Sequence, residues 1–426
     1  MELENFGRVE INCACGKTHS GYTKYIKFGE KAICFLVDIC KRILSDGVVG
    51  VCYCEDTEVF GKRVCKLLQE SGYMTEEICF CANTPPTQEN AQDIVNAKES
   101  IRLFVGVGGG SLCEMLKFAC HIRGCECVYA PTAPTTKSYL SEFSIFWQDG
   151  IPHKFVAKAP LGLVCDSEIF STASNQLCAS GYGELLASLL DIAEKKLYHI
   201  ENQNLFCPKL VEMQEEILRD FFARYQTKPN IETIFHSLVE LGVVEQLEKE
   251  DKIATTFILA GLLEEYNMQN VPYGINKLIF ATIVCKLCAS FLRDGRGVIN
   301  LPDDRVLSTY EISKLCNREN LDYILNLSAN LCQSKNLFVL REFADDIENI
   351  FAKALGELTL GLKYFRRMFA DAGYWLSTYE SVGSLLKICA NGVALCDASS
   401  ILGLMSARGA LNVFAEKIAK NQEQSA

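Results

Sequence analysis

The chain has 426 residues, 49% of them hydrophobic and 22% charged, with 53 acidic against 42 basic side chains. This length is too great for one ordinary hydrophobic core and predicts about two domains. The composition is that of a globular protein, which excludes intrinsic disorder and collagen-like or coiled-coil fibres. A net charge of −11 argues against a nucleic-acid-binding protein, because such a protein needs a basic surface to contact phosphates.

The sequence shows no pattern typical of export or of a membrane span. Its first residues, MELENFGRVEINC, lack a basic stretch followed by an apolar one. The most apolar run, residues 278–292, is too short to cross a bilayer and contains Lys286, so we expect a buried core helix there. The 22 cysteines lie in apolar surroundings and are best explained as small buried hydrophobic residues in a reducing compartment, which indicates a cytoplasmic protein.

Two cysteine pairs resemble metal ligands in their spacing. Cys13 and Cys15 are followed by His19, and Cys79 is followed by Cys81. Neither pair has a matching second half at the spacing of a zinc site. The sequence therefore disfavours a structural metal at either pair.

The first part of the chain alternates between strand and helix patterns. The apolar stretch GVVGVCYC precedes the helical GKRVCKLLQESGY, and ESIRLFVGV precedes LCEMLKFACHIRG. This rhythm is typical of a parallel sheet with crossover helices. After Asp166 the strand patterns fade, and long segments carry apolar residues at helical spacing. We therefore predict a Rossmann-like α/β dinucleotide-binding domain over residues 1–165 and an all-α domain over residues 166–426, whose helices after about residue 295 make core and subunit contacts.

The strongest chemical signal is the glycine cluster GVGGGS at residues 106–111, which follows an apolar strand and opens a helix. Glycines there let backbone N–H groups approach a phosphate closely, and the helix N-terminus carries partial positive charge. A structural turn needs the same residues, but the strand–glycine–helix context favours a pyrophosphate or dinucleotide site. The spacing differs from the GxGxxG fingerprint, which indicates another nucleotide-binding family.

Several motifs follow the order found in one known superfamily. The GVGGGSLCEMLKFA segment resembles its GGGS-x-x-D-x-x-K motif, and CEDT, followed by Gly61, resembles its D-x-N-T turn. The later segments APTAPTT, LVCDS and ASGYGELLA resemble its PTxxST, VDT and SG-x-GD-x-x-A motifs. On these motifs the chain resembles the iron-containing alcohol dehydrogenase and dehydroquinate synthase-like superfamily over about residues 10–290. The CACGKTH and GYGELLASLLDIAEKKL segments are most similar to its glycerol-1-phosphate dehydrogenase branch.

The resemblance implies an N-terminal nucleotide domain, a C-terminal helical domain and an active site in the cleft between them. It implies NAD or NADP as the cofactor and a small polyol or polyol phosphate as the other partner, and it leaves a homo-oligomer open. The acid expected near the adenosine ribose aligns with Cys54, which leaves the adjacent Glu55 or Asp56 as substitutes. The residues expected to bind the cofactor are Gly108, Gly109, Gly110, Ser111, Thr132, Thr135, Glu55 and Lys117.

The superfamily holds a zinc or iron ion with one Asp and two His, and this ion stabilises an alkoxide during hydride transfer. The resemblance places Glu184 at the Asp position, Phe257 at the middle His and Tyr273 at the last His. A phenyl ring and a tyrosine hydroxyl do not replace imidazoles as ordinary metal ligands. The five histidines of the chain stand at other positions. We therefore predict that the metal site of the superfamily is absent here, with Glu184 as its one remaining ligand.

Three functions are compatible with these residues. The first is an NAD(P)-dependent polyol or polyol-phosphate dehydrogenase that retains activity through unrecognised ligands. The second is a pseudoenzyme, a metal-free nucleotide-binding relative with a binding or structural role. The third is a metal-free enzyme in which Tyr273 or Lys137 donates the proton, against the simpler alternative that Tyr273 only fills the vacated space. Glu184, Tyr273 and Lys137 are thus the candidate catalytic residues.

Overall fold

In the computed structural model, the chain forms two compact units. The first unit contains Met1–Gln148, Pro152–Gly181 and Glu216–Glu250, and the second contains Asp149–Ile151, Tyr182–Glu215 and Asp251–Ala426. The helices predicted between residues 295 and 341 lie outside the described part of the chain. The residues that the structure describes are 10–148, 151–201, 206–227, 230–249, 252–265, 271–294, 342–369, 385–386, 388–389, 392–396, 399–407 and 411.

The strands form one large sheet and two short two-stranded sheets. In chain order they are β1 (Glu10–Asn12), β2 (Thr18–Ser20), β3 (Tyr25–Gly29), β4 (Val48–Cys54), β5 (Met74–Phe80), β6 (Ile101–Gly108), β7 (Glu126–Pro131), β8 (Phe143–Gln148), β9 (Ile151–Val156) and β10 (Gly162–Asp166). The large sheet has the order β3-β10-β7-β6-β4-β5, and all its neighbouring strands run parallel. Strand β6 is buried at every position except Arg102, as expected of a parallel strand covered on both faces.

Helices connect these strands and then make up most of the remaining chain. They are α1 (Phe35–Ile43), α2 (Glu58–Glu70), α3 (Gln88–Val95), α4 (Gly110–Arg123), α5 (Ser167–Phe170), α6 (Asn175–Glu201), α7 (Pro208–Thr227), α8 (Ile231–Glu248), α9 (Thr255–Glu265), α10 (Tyr273–Asp294), α11 (Ala344–Met368) and α12 (Ile401–Ala407). Helix α2 buries Val64, Cys65 and Leu68 in a core shared with β4 and β6, because these residues recur on one face at helical spacing.

Helix α10 contains the most apolar stretch of the sequence. By length and composition it is long and apolar enough to cross a membrane, with a mean hydropathy of 1.7, but 78% of its most apolar window is buried within the protein. Its charged residue Lys286 is exposed. This burial is what an interior helix shows, in agreement with the core helix expected at residues 278–292.

The fold class predicted from the sequence is confirmed. The N-terminal part is an α/β structure on a parallel sheet, β10 ends at Asp166, and the described residues after β10 contain helices and no strand. The compact units interleave along the chain, because Glu216–Glu250 belongs to the unit that contains the sheet. A single domain boundary near residue 165 therefore stays a prediction. No disulfide joins the cysteines in the described part of the chain, and most of them are buried.

The packing at Gly106, in the middle of β6, can be tested directly. An added Cβ would lie 2.5 Å from Tyr129 Cε2 and 2.6 Å from Leu116 Cδ2, both in fully buried side chains. We expect Gly106→Ala to destabilise the protein by about 1–3 kcal/mol, because an overpacked core displaces its neighbours. Thermal unfolding followed by circular dichroism measures this loss.

The matched control is Gly356→Ala in helix α11. Nothing lies within 4 Å of a Cβ at Gly356. Alanine there should stabilise the helix by about 0.5–1 kcal/mol, because glycine loses more backbone entropy on folding. A Gly106→Ala protein as stable as the wild type would contradict the close packing described.

Candidate functional site

The order of strands in the sheet reverses between β4 and β6. From β4 the chain first adds β5 on one side, and it then returns to add β6 and later β7 on the other side. In open parallel sheets such a reversal leaves a crevice at the carboxyl ends of the two central strands, and ligands bind there. The glycine cluster follows β6 and the CEDT segment follows β4, so both lie at this edge.

Gly109 forms the N-cap of helix α4, immediately after β6. Its backbone is extended, with φ −86° and ψ −169°, and it provides no capping side chain. Nothing lies within 4 Å of an added Cβ at this position. The first N–H groups of an α-helix have no partner within the helix. Gly109 therefore leaves open space beside backbone donors, which is the geometry that a phosphate requires.

Two hydrogen bonds hold this turn in place. The Tyr129 hydroxyl donates to the Gly109 carbonyl oxygen at 2.6 Å, and the Thr132 amide donates to the Gly108 carbonyl oxygen at 3.1 Å. Burial raises the pKa of Tyr129 well above its ordinary value, so the phenol stays protonated and remains a donor. The strand β7 thus fixes the conformation of the glycine turn from the neighbouring position in the sheet.

The end of β4 forms a second turn at the same edge. Thr57 receives a hydrogen bond from the Cys54 amide at 3.1 Å, and its hydroxyl lies 3.0 Å from the Val107 carbonyl oxygen. The exposed Glu55 accepts a hydrogen bond from the Ala82 amide at 3.1 Å through Oε2. Burial and, secondly, the charge of Asp56 raise the pKa of Cys54 to about 11, so its thiol is uncharged near neutral pH. The acidic group at this turn is therefore Glu55 or Asp56, as the sequence suggests.

The remaining residues of the predicted cofactor site lie in the same unit but differ in their surroundings. Ser111 is exposed in the first turn of α4, and Thr132 is buried after β7. The Thr135 hydroxyl lies 3.2 Å from the Tyr139 hydroxyl. An added Cβ at Gly110 would lie 3.1 Å from Thr136 Cγ2, so this glycine brings the segment after β7 close to α4.

Lys117 is fully buried, and protein acceptors use all three of its donors. Its ammonium nitrogen donates to Glu114 Oε1 and to the Ser138 and Phe143 carbonyl oxygens, each at 2.9 Å. The superfamily motif D-x-x-K is therefore present as a working ion pair with Glu114 as its acid. This network ties α4 to the segment after Lys137.

Lys137 also has an acidic partner. Its ammonium nitrogen lies 2.7 Å from Glu245 Oε1 of helix α8, and its side chain is 9% exposed. Adjacent packing is close, since an added Cβ at Gly242 would lie 2.4 Å from the Lys137 carbonyl oxygen. The Lys137 ammonium is thus neutralised by a carboxylate of the same unit.

The second unit contains the three positions that the motif resemblance aligns with metal ligands, Glu184, Phe257 and Tyr273. Glu184 on α6 forms a buried ion pair with Lys277 on α10, with Nζ 2.8 Å from each carboxylate oxygen. Both residues are 4% exposed. The helices approach closely here, because an added Cβ at Gly183 would lie 2.3 Å from the Gly274 carbonyl oxygen. The remaining carboxylate of the predicted metal site is therefore held by a cation of the chain itself.

The two aromatic residues at this position contact each other. The Tyr273 hydroxyl donates to the Phe257 carbonyl oxygen at 2.9 Å, and the two rings pack edge to face with centroids 5.6 Å apart. Tyr273 and Lys277 lie one turn apart on α10 and share a face. A phenyl ring offers no electron pair to a metal, and a dication beside Glu184 would face the Lys277 ammonium. The residues present do not fit the zinc or iron ion of the superfamily.

Sequence reasoning did not identify Lys277 as part of this position. The signal was available, because Lys277 follows Tyr273 by four residues in a helical pattern. A lysine on the face that should carry a metal ligand is an informative departure, since it brings a positive charge to the place of an ion.

Comparisons with known proteins identify the relatives of this chain. Residues 28–174 match the family of iron-containing alcohol dehydrogenases. The glycerol-1-phosphate dehydrogenases (NAD(P)+) of Halalkalibacterium halodurans and Bacillus licheniformis are 24% identical over 225 residues and 23% identical over 243 residues. These matches cover 51% and 54% of the chain and 56% and 61% of the relatives, so the chain spans little more than half the length of the curated relatives it matches.

Solved structures of dehydrogenases share this fold. The glycerol dehydrogenase of Schizosaccharomyces pombe has a TM-score of 0.57 and 13% identity, over 98% of this chain and 93% of that one. The alcohol dehydrogenase of Oenococcus oeni has a TM-score of 0.57 and 13% identity, over 92% of this chain and 98% of that one. The resemblance to the iron-containing alcohol dehydrogenase superfamily that the motifs indicate is confirmed.

The ion pair between Glu184 and Lys277 leads to a test of stability. We expect Lys277→Met to destabilise the protein by about 3–5 kcal/mol, because it leaves a buried carboxylate without its partner. The double variant Glu184→Gln/Lys277→Met should recover much of this loss, since no charge is then left buried. Urea unfolding followed by circular dichroism measures both changes.

Lys353→Met provides the matched control in the same unit. Its ammonium group lies 2.8 Å from Glu215 and is 53% exposed, and Glu215 keeps a second partner in Lys196 at 2.7 Å. The expected cost is about 0–1 kcal/mol, as for other exposed ion pairs. Equal losses in the Lys277 and Lys353 variants would mean that the Glu184 pair is not a special buried interaction.

Proposed function

We propose that this relative of the iron-containing alcohol dehydrogenases is an NAD(P)-dependent oxidoreductase of the polyol dehydrogenase type. It would transfer a hydride between a polyol or polyol phosphate and the nicotinamide ring. The names of its curated relatives support the reaction class. The observation that carries the proposal is the open space at Gly109, beside the backbone donors of α4 and at the reversal of strand order.

The residues of the first unit fit a dinucleotide. The pyrophosphate would lie against the N–H groups of Gly109, Gly110 and Ser111, where the N-terminus of a 14-residue helix favours negative charge. A carboxylate at Glu55 would accept hydrogen bonds from the adenosine ribose hydroxyls. The bound cofactor supplies a nicotinamide ring that accepts or donates the hydride. Thr132 and Thr135 would contact the nicotinamide side, and Lys117 would hold α4 in position.

Hydride transfer also requires a proton transfer at the substrate oxygen, and this step would take place without the metal of the superfamily. An aliphatic hydroxyl hardly ionises near neutral pH, so a protein group has to take or give its proton. Tyr273 and Lys137 are the groups proposed for this step, and both carry a proton at neutral pH in their ordinary forms. This protonation suits the reduction of a carbonyl, in which the enzyme donates a proton as the hydride arrives. Glu184 acts as a positioning residue that holds Lys277.

One observation favours a second candidate function. The Lys277 ammonium is already neutralised by Glu184 at 2.8 Å, so the pair offers little net charge to a developing alkoxide. A chain that binds the dinucleotide without catalysing a reaction would then act by binding alone. This is the pseudoenzyme described above.

Gly109→Val tests the nucleotide site. We expect the variant to lower the affinity for NADH or NADPH at least about tenfold, equivalent to 1.4 kcal/mol, because the new side chain fills the space of the phosphate. The measurement is titration followed by nicotinamide fluorescence. The stability should change little, since the backbone of Gly109 is extended and the space around its Cβ is open. Gly356→Ala serves as the control. An unchanged affinity for the nucleotide in the Gly109 variant would mean that no phosphate binds at this turn.

Turnover decides between the two candidate functions. The full chain is assayed with NAD+ and NADP+ on glycerol and glycerol 1-phosphate, and with the reduced cofactors on the corresponding ketones, with and without a chelator. Hydride transfer that survives chelation supports the metal-free oxidoreductase. Nucleotide binding without any turnover supports the pseudoenzyme. Turnover that depends on a metal bound at Glu184 would contradict the poor fit of this position to a zinc or iron ion.

A further inference from the structure

The N-terminal hairpin gathers two cysteines and a histidine that the proposed function does not use. Strands β1 and β2 pair antiparallel, with Ile11 opposite His19. The connecting turn is closed by hydrogen bonds from the Cys13 amide to the Lys17 carbonyl oxygen at 3.1 Å and from the Gly16 amide to the Cys13 carbonyl oxygen at 3.0 Å. Gly16 adopts a φ of +81°, in the left-handed region that glycine enters without strain. This turn brings Cys13, Cys15 and His19 to one place.

The donor atoms of these three residues lie close together. The sulfur atoms of Cys13 and Cys15 and a ring nitrogen of His19 are all within 4.8 Å of one another, and the Cys15 Sγ to His19 Nε2 distance is 3.3 Å. In a tetrahedral zinc site with Zn–S of about 2.3 Å and Zn–N of about 2.0 Å, two sulfurs lie ~3.8 Å apart and a sulfur and a nitrogen ~3.5 Å apart. The observed distances therefore match a zinc site to within small side-chain movements.

The second ring nitrogen of His19 fixes the orientation of the imidazole. His19 is 6% exposed, and its Nδ1 lies 3.1 Å from the Leu247 carbonyl oxygen at the end of α8. A carbonyl oxygen can only accept, so Nδ1 carries the proton and Nε2 presents its electron pair to the thiols. Ligand histidines in zinc sites are commonly held in this way by a carbonyl or carboxylate.

We propose that Cys13, Cys15 and His19 bind a zinc ion at the tip of the N-terminal hairpin. Two thiolates and one imidazole are ligands that zinc prefers, and binding releases the two thiol protons to solvent. Structural zinc is usually four-coordinate, so a fourth donor would complete the tetrahedron. The site differs from the metal position of the superfamily, because it lies before residue 28, where the family match begins, and contains neither Glu184 nor Tyr273.

The surroundings of the site point to a structural role. The segment that follows the hairpin is joined to the end of α8 by reciprocal hydrogen bonds, in which the Thr23 amide donates to Gln246 Oε1 at 3.2 Å and Gln246 Nε2 donates to the Thr23 hydroxyl at 3.1 Å. His19 adds the contact to Leu247 next to it. A zinc ion on His19 would link the cysteine turn to this anchored histidine and so order a short hairpin of two three-residue strands.

Metal content and cobalt substitution test the proposal on the full chain. Protein purified with zinc present and then dialysed should contain about one zinc per chain, and Cys15→Ser should lower this content at least about tenfold. Cobalt in place of zinc should give the intense visible bands of a tetrahedral site and near-ultraviolet thiolate-to-metal bands, whose intensity counts the sulfur ligands. Cys79→Ser/Cys81→Ser, which removes a pair with the same spacing, should retain the zinc.

Two further expected results separate this zinc site from the superfamily metal position and from the nucleotide site. Glu184→Gln should keep the zinc, because the ion is not at the superfamily position. NADH affinity should be the same in the wild type and in Cys15→Ser, so this test is independent of the proposed function. A wild-type chain without stoichiometric zinc, a Cys15→Ser variant that keeps it, or a mass showing a Cys13–Cys15 disulfide would each overturn the site. If Cys15→Ser is found unfolded by circular dichroism, the absence of thiolate bands in wild-type cobalt protein remains a sufficient refutation.

Discussion

The reversal of strand order between β4 and β6 is the constraint on which the proposed nucleotide site depends. Parallel strands need crossover connections, and those that leave β4 and β6 run in opposite directions across the sheet. Their carboxyl ends are therefore not covered by a shared connection. The glycine turn and the CEDT turn both follow these strands, and Tyr129 on the next strand holds the glycine carbonyl in place. A flexible sequence thus becomes a rigid turn with open space beside it.

Three buried lysines in the described part of the chain, Lys117, Lys137 and Lys277, are matched to acceptors. Lys117 donates to a carboxylate and two carbonyl oxygens, Lys137 contacts Glu245, and Lys277 contacts both oxygens of Glu184. Burying an ammonium group without such partners would cost several kcal/mol, so these pairings specify where each helix sits. At Glu184 the pairing also changes the chemistry. The position that the resemblance aligns with a metal ligand forms an ion pair with Lys277.

The chemistry of a cysteine in this chain depends on its surroundings, as Cys13 and Cys15 of the N-terminal hairpin show. Most described cysteines are buried, and at Cys52 and Cys285 this burial raises the pKa and keeps the thiols neutral. Cys13 and Cys15 instead lie beside an imidazole whose other nitrogen is held by a backbone carbonyl. Rules that look for a second pair of ligands further along the sequence miss such a site, because a single turn supplies three donors.

The sequence by itself determined the α/β fold class and the place of the glycine turn at a helix N-terminus. These features depend on local periodicity and residue chemistry, which are visible along the chain. Only the tertiary structure decided which residue pairs with Glu184. The pairing of Glu184 with Lys277 joins residues 93 positions apart, and it exists because the glycines of α6 and α10 allow the two helices to approach closely. The orientation of His19 likewise depends on Leu247, 228 residues away. Contacts of this kind are set by packing between distant segments, and no local pattern in the sequence encodes them.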